Sequence, residues 1–322
     1  MNSRPILIVA GEPNSIFLEI LFKIYKTKKL RKPLILIASY NLLKLQMNKL
    51  NFKKKIRLLD ESKIKEYKLD NKFINLINIK YNQGKAFEKI SKKSNDYIEN
   101  CFNLALNLIK KGVTNKLVNG PISKKNFLGK KYLGITEYLA RKTNKKKFAM
   151  LIFNQKLSVS PITTHLPIND ISKKLNKQLI IEKIILINDF YKKIFGFKPV
   201  IAVTGLNPHC ESIKKNNEDD KITKPAVRHL NKRGLKIFGP YAADTIFLKK
   251  NRSKFNVIVG MYHDQVLAPI KTLVEYDAIN ITLGLPFLRI SPDHGPNEKM
   301  LGKNLSNPQS LFYAIKFLEK IK

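Results

Sequence analysis

Short apolar runs rich in Ile, Val and Leu alternate along this chain with stretches of helical spacing. The runs are Pro5–Ala10, Leu34–Ala38, Ile74–Ile79, Lys116–Asn119, Phe148–Phe153, Val200–Leu206, Phe255–Met261 and Ala278–Leu283. Runs this short and this apolar suit strands buried on both faces, and parallel strands need crossovers long enough to hold a helix. The intervals supply them. Ser15–Tyr25 has helical spacing, and Ala86–Lys111 carries Phe87, Ile90, Ile98, Phe102, Ala105 and Ile109 at mostly three- and four-residue steps before Gly112. Asn169 or Asp170 suits the cap of a helix from Ile171, Gln178–Phe195 runs up to Gly196, and a last helix is expected near Pro308–Ile321. Such alternation predicts an α/β protein with largely parallel sheets flanked by helices. At 322 residues the chain has room for one large or two medium domains. It has no internal repeats, and the Lys/Asn-rich stretches 142–147 and 214–220 are expected to be solvated loops.

Composition removes several function classes. No apolar run approaches the ~18 residues of a membrane span. Met1–Pro5 leads straight into a strand rather than a signal-peptide core, so a cytoplasmic protein is expected. Cys101 falls in a predicted helix and Cys210 beside a histidine, which is neither a disulfide framework nor a thiolate zinc set. A net charge of +37 would ordinarily suggest nucleic acid, yet only 8 of the 61 basic residues are arginine. Lysine is the poorer residue for bidentate phosphate or base recognition, and no basic stripe interleaved with aromatics is present. The charge instead raises encounter rates with small anionic substrates.

Three of the five histidines share one setting. His165, His209 and His263 each follow an apolar strand-like run: Ser158–Thr164, Val200–Pro208 and Val257–Tyr262. In α/β sheets the loops leaving the carboxyl ends of strands form the ligand crevice. Neutral imidazole suits a divalent transition metal, and three protein ligands leave positions open for a substrate oxygen. Taken singly, each histidine reads as well as a partly buried residue bonding a carbonyl. The shared setting favours a metal.

The blocks around these histidines resemble the 4-hydroxythreonine-4-phosphate dehydrogenases. They are Gly205–His209, Gly239–Thr245, Met261–Gln265, and Ile281–Arg289 through Asp293–Gly295, with Asn119–Lys124 and Thr163–His165 also fitting. The resemblance runs from the first strand to about Gly302. It implies the two-domain fold of isocitrate and isopropylmalate dehydrogenases. Residues 1–124 with 266–322 would form the cofactor-side domain; 125–265 would carry the metal ligands and a homodimer interface with shared active sites. It also implies NAD or NADP and one divalent metal (Zn, Mg, Mn or Co) on His165, His209 and His263. The expected reaction oxidises 4-phosphohydroxy-L-threonine and then decarboxylates it, in pyridoxal 5′-phosphate biosynthesis. By motif match Thr136, Lys271, Asn280 and Arg289 contact substrate. Arg289 offers a planar fork for carboxylate or phosphate, and Lys271 a cation or proton donor. Asp264 adjoins His263 and is suited to orient it; Asp244 heads a helix, where capping is an equally good reason for an acid. His294, Gly295 and Lys299 fall on the cofactor side.

Three departures from the family pattern bear on substrate and cofactor. The family's Gly-His-Thr-Glu reads Gly134, Ile135, Thr136, Glu137 here, so an imidazole is replaced by a group that cannot donate a hydrogen bond. Asn14–Phe17 replaces a Gly/Ala-rich turn, which is expected to reshape the dinucleotide-side crevice. Pro296 and Asn297 stand for the usual Thr-Ala after the Asp-His-Gly block, with Lys299 where an acid is usual. An acid at that point accepts from the 2′-hydroxyl of NAD, whereas a cation pairs with the 2′-phosphate of NADP, although Glu298 is one residue away. The alternative reading is a relative acting on another phosphorylated hydroxy acid, or a catalytically weak metal- and phosphate-binding protein.

Overall fold

The computed structural model describes residues 4–129, 132–211, 217–292 and 294–321. In chain order its elements are β1 (Ile6–Val9), α1 (Phe17–Thr27), β2 (Leu34–Ala38), α2 (Tyr40–Lys49), β3 (Ile56–Leu58), β4 (Ile74–Asn78), α3 (Asn95–Lys110), β5 (Lys116–Asn119), α4 (Ile135–Lys142), β6 (Ala149–Phe153), β7 (Ser158–Pro161), α5 (Ile168–Lys174), α6 (Lys177–Phe195), β8 (Ile201–Thr204), α7 (Lys224–Lys232), β9 (Ile237–Tyr241), α8 (Ala243–Ile246), α9 (Lys249–Arg252), β10 (Val257–Gly260), α10 (His263–Val274), β11 (Ile279–Leu283), β12 (Leu288–Pro292) and α11 (Gln309–Lys320). They fall into two compact units. The first is Met1–Ile135 with Pro286–Lys322, and the second is Thr136–Leu285. These divisions lie later in the chain than the 124/125 and 265/266 expected from sequence.

In the first unit the strand order is β3-β4-β2-β1-β5-β12. Each pairing in it is parallel, with Ile6 opposite Leu34 and Leu288 opposite Lys116. Burial on both faces explains why β1, β2 and β5 carry no alternation: each of their residues is buried. Ser39 caps α2 by accepting from the Leu42 amide. The helix expected over 86–111 begins only at Asn95, because side chains hold the preceding segment as a loop. Gln46 Nε2 donates to the Ala86 carbonyl and Asn14 Oδ1 accepts from the Glu88 amide. Phe87 and Ile90 therefore precede the helix.

In the second unit the order is β11-β6-β7-β10-β8-β9. The pairs β11/β6 and β6/β7 are antiparallel, while β7, β10, β8 and β9 run parallel. The antiparallel turn follows from length: between Phe153 and Ser158 there is no room for a crossover, and Asn154 closes the corner by accepting from the Lys156 amide. Asn176 caps α6, and Gly196, in the left-handed region at φ 79°, ends it. Helix α5 begins at Ile168 behind Pro167 rather than at Ile171, since proline is preorganised for a helix start. The sequence reading omitted β9, whose Gly239 and Pro240 read as a turn. A core of Met150, Ile152, Val159, Ile258, Val266 and Ile270 packs α10 against this sheet. That packing fixes the helix whose first residue is His263.

Candidate active site

The carboxyl ends of β7 and β10 carry two of the three histidines side by side. These strands are parallel neighbours, with Gly260 opposite Pro161, so the loops that follow leave together. The His165 and His263 rings lie with centroids 5.3 Å apart and planes at 38°. Backbone bonds from Ile162 to Gly260 and from Thr163 to Met261 lock the two loops, and Thr163 Oγ1 donates to Met261 O as well. His165 sits at φ 53°, a left-handed conformation that L-residues adopt rarely outside special sites. Thr164 beside it donates to Glu137 Oε1 at 3.0 Å, tying the loop to α4.

Asp264 stands against His263. Its Oδ1 lies 2.6 Å from His263 Nδ1, so the exposed carboxylate favours a proton on that nitrogen and leaves Nε2 the lone pair. This is the arrangement in which histidines bind metals. His209 follows β8 on an exposed turn, also left-handed at φ 55°. Among the described residues of a single chain, no group of three His, Cys, Asp or Glu side chains is gathered to hold a metal ion. The donors therefore fit a divalent cation in part within one chain: two adjacent imidazoles, one held by a carboxylate.

The other expected residues divide between the two units. In the second unit Thr136 is buried, with its Oγ1 3.2 Å from Thr282 Oγ1, which links α4 to β11. Asn280 lies on β11, and its buried Oδ1 has no hydrogen-bond partner among the described residues. A buried amide oxygen left open is an acceptor for a ligand donor. Lys271 is exposed on α10. Asp244 is exposed in the first turn of the four-residue α8, whose cap position is Ala242. The capping explanation for Asp244 therefore does not hold. Ile135, the residue just before this unit begins, is half-buried at the start of α4.

In the first unit Arg289 lies on β12, where it is fully buried, and its Nε donates to Asn119 Oδ1 at 2.7 Å. The open fork expected from sequence is thus already engaged, by Asn119 of the Asn119–Lys124 block. His294 is half-buried, with its Nδ1 3.0 Å from the Gly295 carbonyl; Gly295 and Lys299 are exposed. Asp293 lies outside the described residues. Two of the departures from the family pattern meet here, because the Ile16 amide donates to the Pro296 carbonyl. The bulk of Asn14–Phe17 is turned inward: all four residues are buried, and Asn14 exchanges hydrogen bonds with Gln83. Glu12 is buried behind them, its carboxyl pushed up to about 7 by burial, partly offset by the Asn14 amide and Ser94.

Residues 29–318 match the family model of pyridoxal phosphate biosynthetic protein PdxA. The chain belongs to that family. A 4-hydroxythreonine-4-phosphate dehydrogenase of Sulfurihydrogenibium sp. is 38% identical over 98% of this chain and 97% of its own length. The D-threonate 4-phosphate dehydrogenase of Salmonella typhimurium is 30% identical over 98% of both. The crystal structure of the Klebsiella pneumoniae 4-hydroxythreonine-4-phosphate dehydrogenase is 28% identical, with TM-score 0.85 over 99% of this chain and 100% of that one. The expected fold class is also met: an isocitrate dehydrogenase of Methylococcus capsulatus shares the fold with TM-score 0.52 at 8% identity, over 98% of this chain and 85% of that one. Among the described residues no helix is long and apolar enough to cross a membrane.

Proposed function

We propose that the protein oxidises the secondary alcohol of 4-phosphohydroxy-L-threonine with NAD⁺ or NADP⁺. Loss of CO₂ from the resulting β-keto acid then gives 3-amino-1-hydroxyacetone phosphate, in pyridoxal 5′-phosphate biosynthesis. His165, His209 and His263 would hold a divalent cation at sites shared between the subunits of a homodimer. The observation that carries this reading is the His165–His263 pair, 5.3 Å apart at neighbouring strand ends with His263 held by Asp264. When bound, the cation supplies Lewis-acid stabilisation of negative charge on substrate oxygens, and the nicotinamide accepts the hydride.

The chain's own residues do the rest. Asp264 keeps the His263 ring in one tautomer and orientation. Asn280 Oδ1 accepts from a substrate hydroxyl or ammonium, and Thr136 faces the phosphate end. Arg289, held by Asn119, brings positive charge to an anionic group of the substrate. Lys271 serves as a substrate cation or returns a proton to the carbon that loses CO₂, with Asp244 assisting proton movement.

Ile135 favours one competing substrate reading, because the imidazole that the family places there is missing and the full-length relatives include a D-threonate 4-phosphate dehydrogenase. Reduced-cofactor formation measured with 4-phosphohydroxy-L-threonine and with D-threonate 4-phosphate, each with NAD⁺ and NADP⁺, tests both. Faster turnover of the threonine derivative is expected. The reverse order reassigns the substrate, and no turnover of either defeats the dehydrogenase reading.

A further inference from the structure

The turn that carries His209 is built from a conformation that does not hold itself. His209 and Cys210, in succession, have φ values of 55° and 60°. Two consecutive non-glycine residues in the left-handed region persist only where their surroundings over-determine them. The turn folds back so closely that a Cβ at Gly205 would lie 2.8 Å from Cys210 Sγ. Within the turn, the Cys210 amide donates to Asn207 O and the Glu211 amide to Pro208 O.

Two buried side chains grip the turn from opposite sides. Asp219 is wholly buried. Its Oδ1 accepts from the Leu206 amide at 2.8 Å and from Thr223 Oγ1 at 3.0 Å. Its Oδ2 accepts from the Asn207 amide at 2.9 Å and from Asn207 Nδ2 at 3.1 Å. The carboxylate therefore fixes the two residues that lead into Pro208 and His209. Gln265, on α10, holds the other side. Its Nε2 donates to Gly205 O at 2.8 Å, while its Oε1 accepts from Thr204 Oγ1 at 2.8 Å and from the Met261 amide at 2.7 Å. Gln265 is two residues beyond His263, so one amide joins the strand end that leads to His209 to the strand end that leads to His263.

We propose that Asp219 and Gln265 are positioning residues for the His209 and His263 imidazoles. Asp219 sets the His209 turn, and Gln265 holds that turn in register with α10. Neither touches substrate. The inference rests on the reading of both histidines as metal ligands. The cost of arranging them is met during folding, so that a cation finds the donors already oriented.

The test uses the purified full-length chain titrated with Co²⁺, followed by calorimetry and by visible absorption, with thermal melting in parallel. Asp219→Asn keeps side-chain size and turns one of the two accepting oxygens into a donor, losing half of the four bonds, and Gln265→Met loses all three of its own; Thr223→Val removes a single donor and serves if Asp219→Asn fails to fold. Tyr191→Phe, which loses a buried bond to Ser158 Oγ elsewhere in the same unit, controls for general loss of stability. Asp219→Asn and Gln265→Met are expected to weaken Co²⁺ binding roughly 10- to 100-fold, with absorption shifted toward that of His209→Ala. Tyr191→Phe is expected to melt earlier with unchanged affinity. Wild-type Co²⁺ affinity and absorption in both positioning variants overturn the inference while leaving the metal reading intact. An equal loss of affinity in Tyr191→Phe also overturns it. A wild type that binds no Co²⁺, or a His209→Ala chain that binds as wild type does, overturns the metal reading and this inference with it.

Discussion

Glu12 is the residue whose chemistry the sequence conceals most. Nothing in Gly11–Pro13 distinguishes a solvated acid from a buried one, yet the fold buries it and lifts its carboxyl to about 7. Burial is the largest cause; Glu298 adds to it, while the Asn14 amide and Ser94 oppose it. An acid with a raised pKa in the folded state binds protons more readily there than when unfolded. The stability it leaves intact below about pH 4.5 is lost as pH rises toward 7, and the loss is complete above that. Glu12→Gln is therefore expected to match wild type near pH 4.5 and to exceed it by about 2–3 kcal/mol at pH 8, as measured by urea denaturation at the two pH values. A constant difference at both would rule out titration of Glu12. Lys299 makes the cofactor prediction. It is exposed on the turn after Gly295, so Lys299→Asp is expected to move the ratio of kcat/KM values from NADP⁺ toward NAD⁺. An unchanged ratio would show that Lys299 does not read the ribose. The histidines, Thr136, Asn280 and Arg289 stand out as candidates because motif blocks carry them. Asp219 does not: it falls in a polar, lysine-rich stretch that reads as solvated loop, and only the partners gathered around it reveal the burial. Gln265 stood inside a recognised block, but an amide next to Asp264 attracts no chemical suspicion.

At the scale of elements, hydrophobic patterning locates most of the strands because both faces are buried, but not the short β3 or β12, where the buried Arg289 breaks the apolar run, and it fails where side chains override the pattern. The helix over 86–111 starts late since Gln46 and Asn14 bind the backbone of its first third. β9 was missed because Gly239 and Pro240 interrupt its run. The joint between β10 and α10 gives a prediction of its own. A Cβ at Gly260 would lie 2.5 Å from Val266 Cγ1 and 3.0 Å from Gln265 Oε1. Gly260→Ala must push α10 away from the strand, and a destabilisation of about 1–3 kcal/mol is expected. Because His263 opens that helix, kcat/KM should fall by more than the loss of folded protein accounts for. Denaturation and steady-state kinetics on the same preparation separate the two effects, and unchanged kinetics would show that the helix start is not coupled to the site.

At the scale of the whole molecule, the chain divides at 135/136 and 285/286, positions that no compositional break in α4 or after β11 marks in the sequence. Shared sites in a homodimer would make complementary defects repairable. Mixing inactive His165→Ala chains with inactive His263→Ala chains is expected to restore part of the activity through hybrid sites. No recovery, despite subunit exchange shown by tagged chains, would count against sharing. The order in which the chain is made adds one more constraint. The second unit is a single stretch, Thr136–Leu285, complete as soon as its last residue leaves the ribosome. The first unit lacks β12 and α11 until the final segment arrives, so β5 waits with one edge unpaired through the synthesis of 150 residues belonging to its neighbour. Protease pulses on stalled nascent chains should therefore find the second unit resistant before the first, and make the first 135 residues the part of this protein that depends on a chaperone's shelter during its own translation.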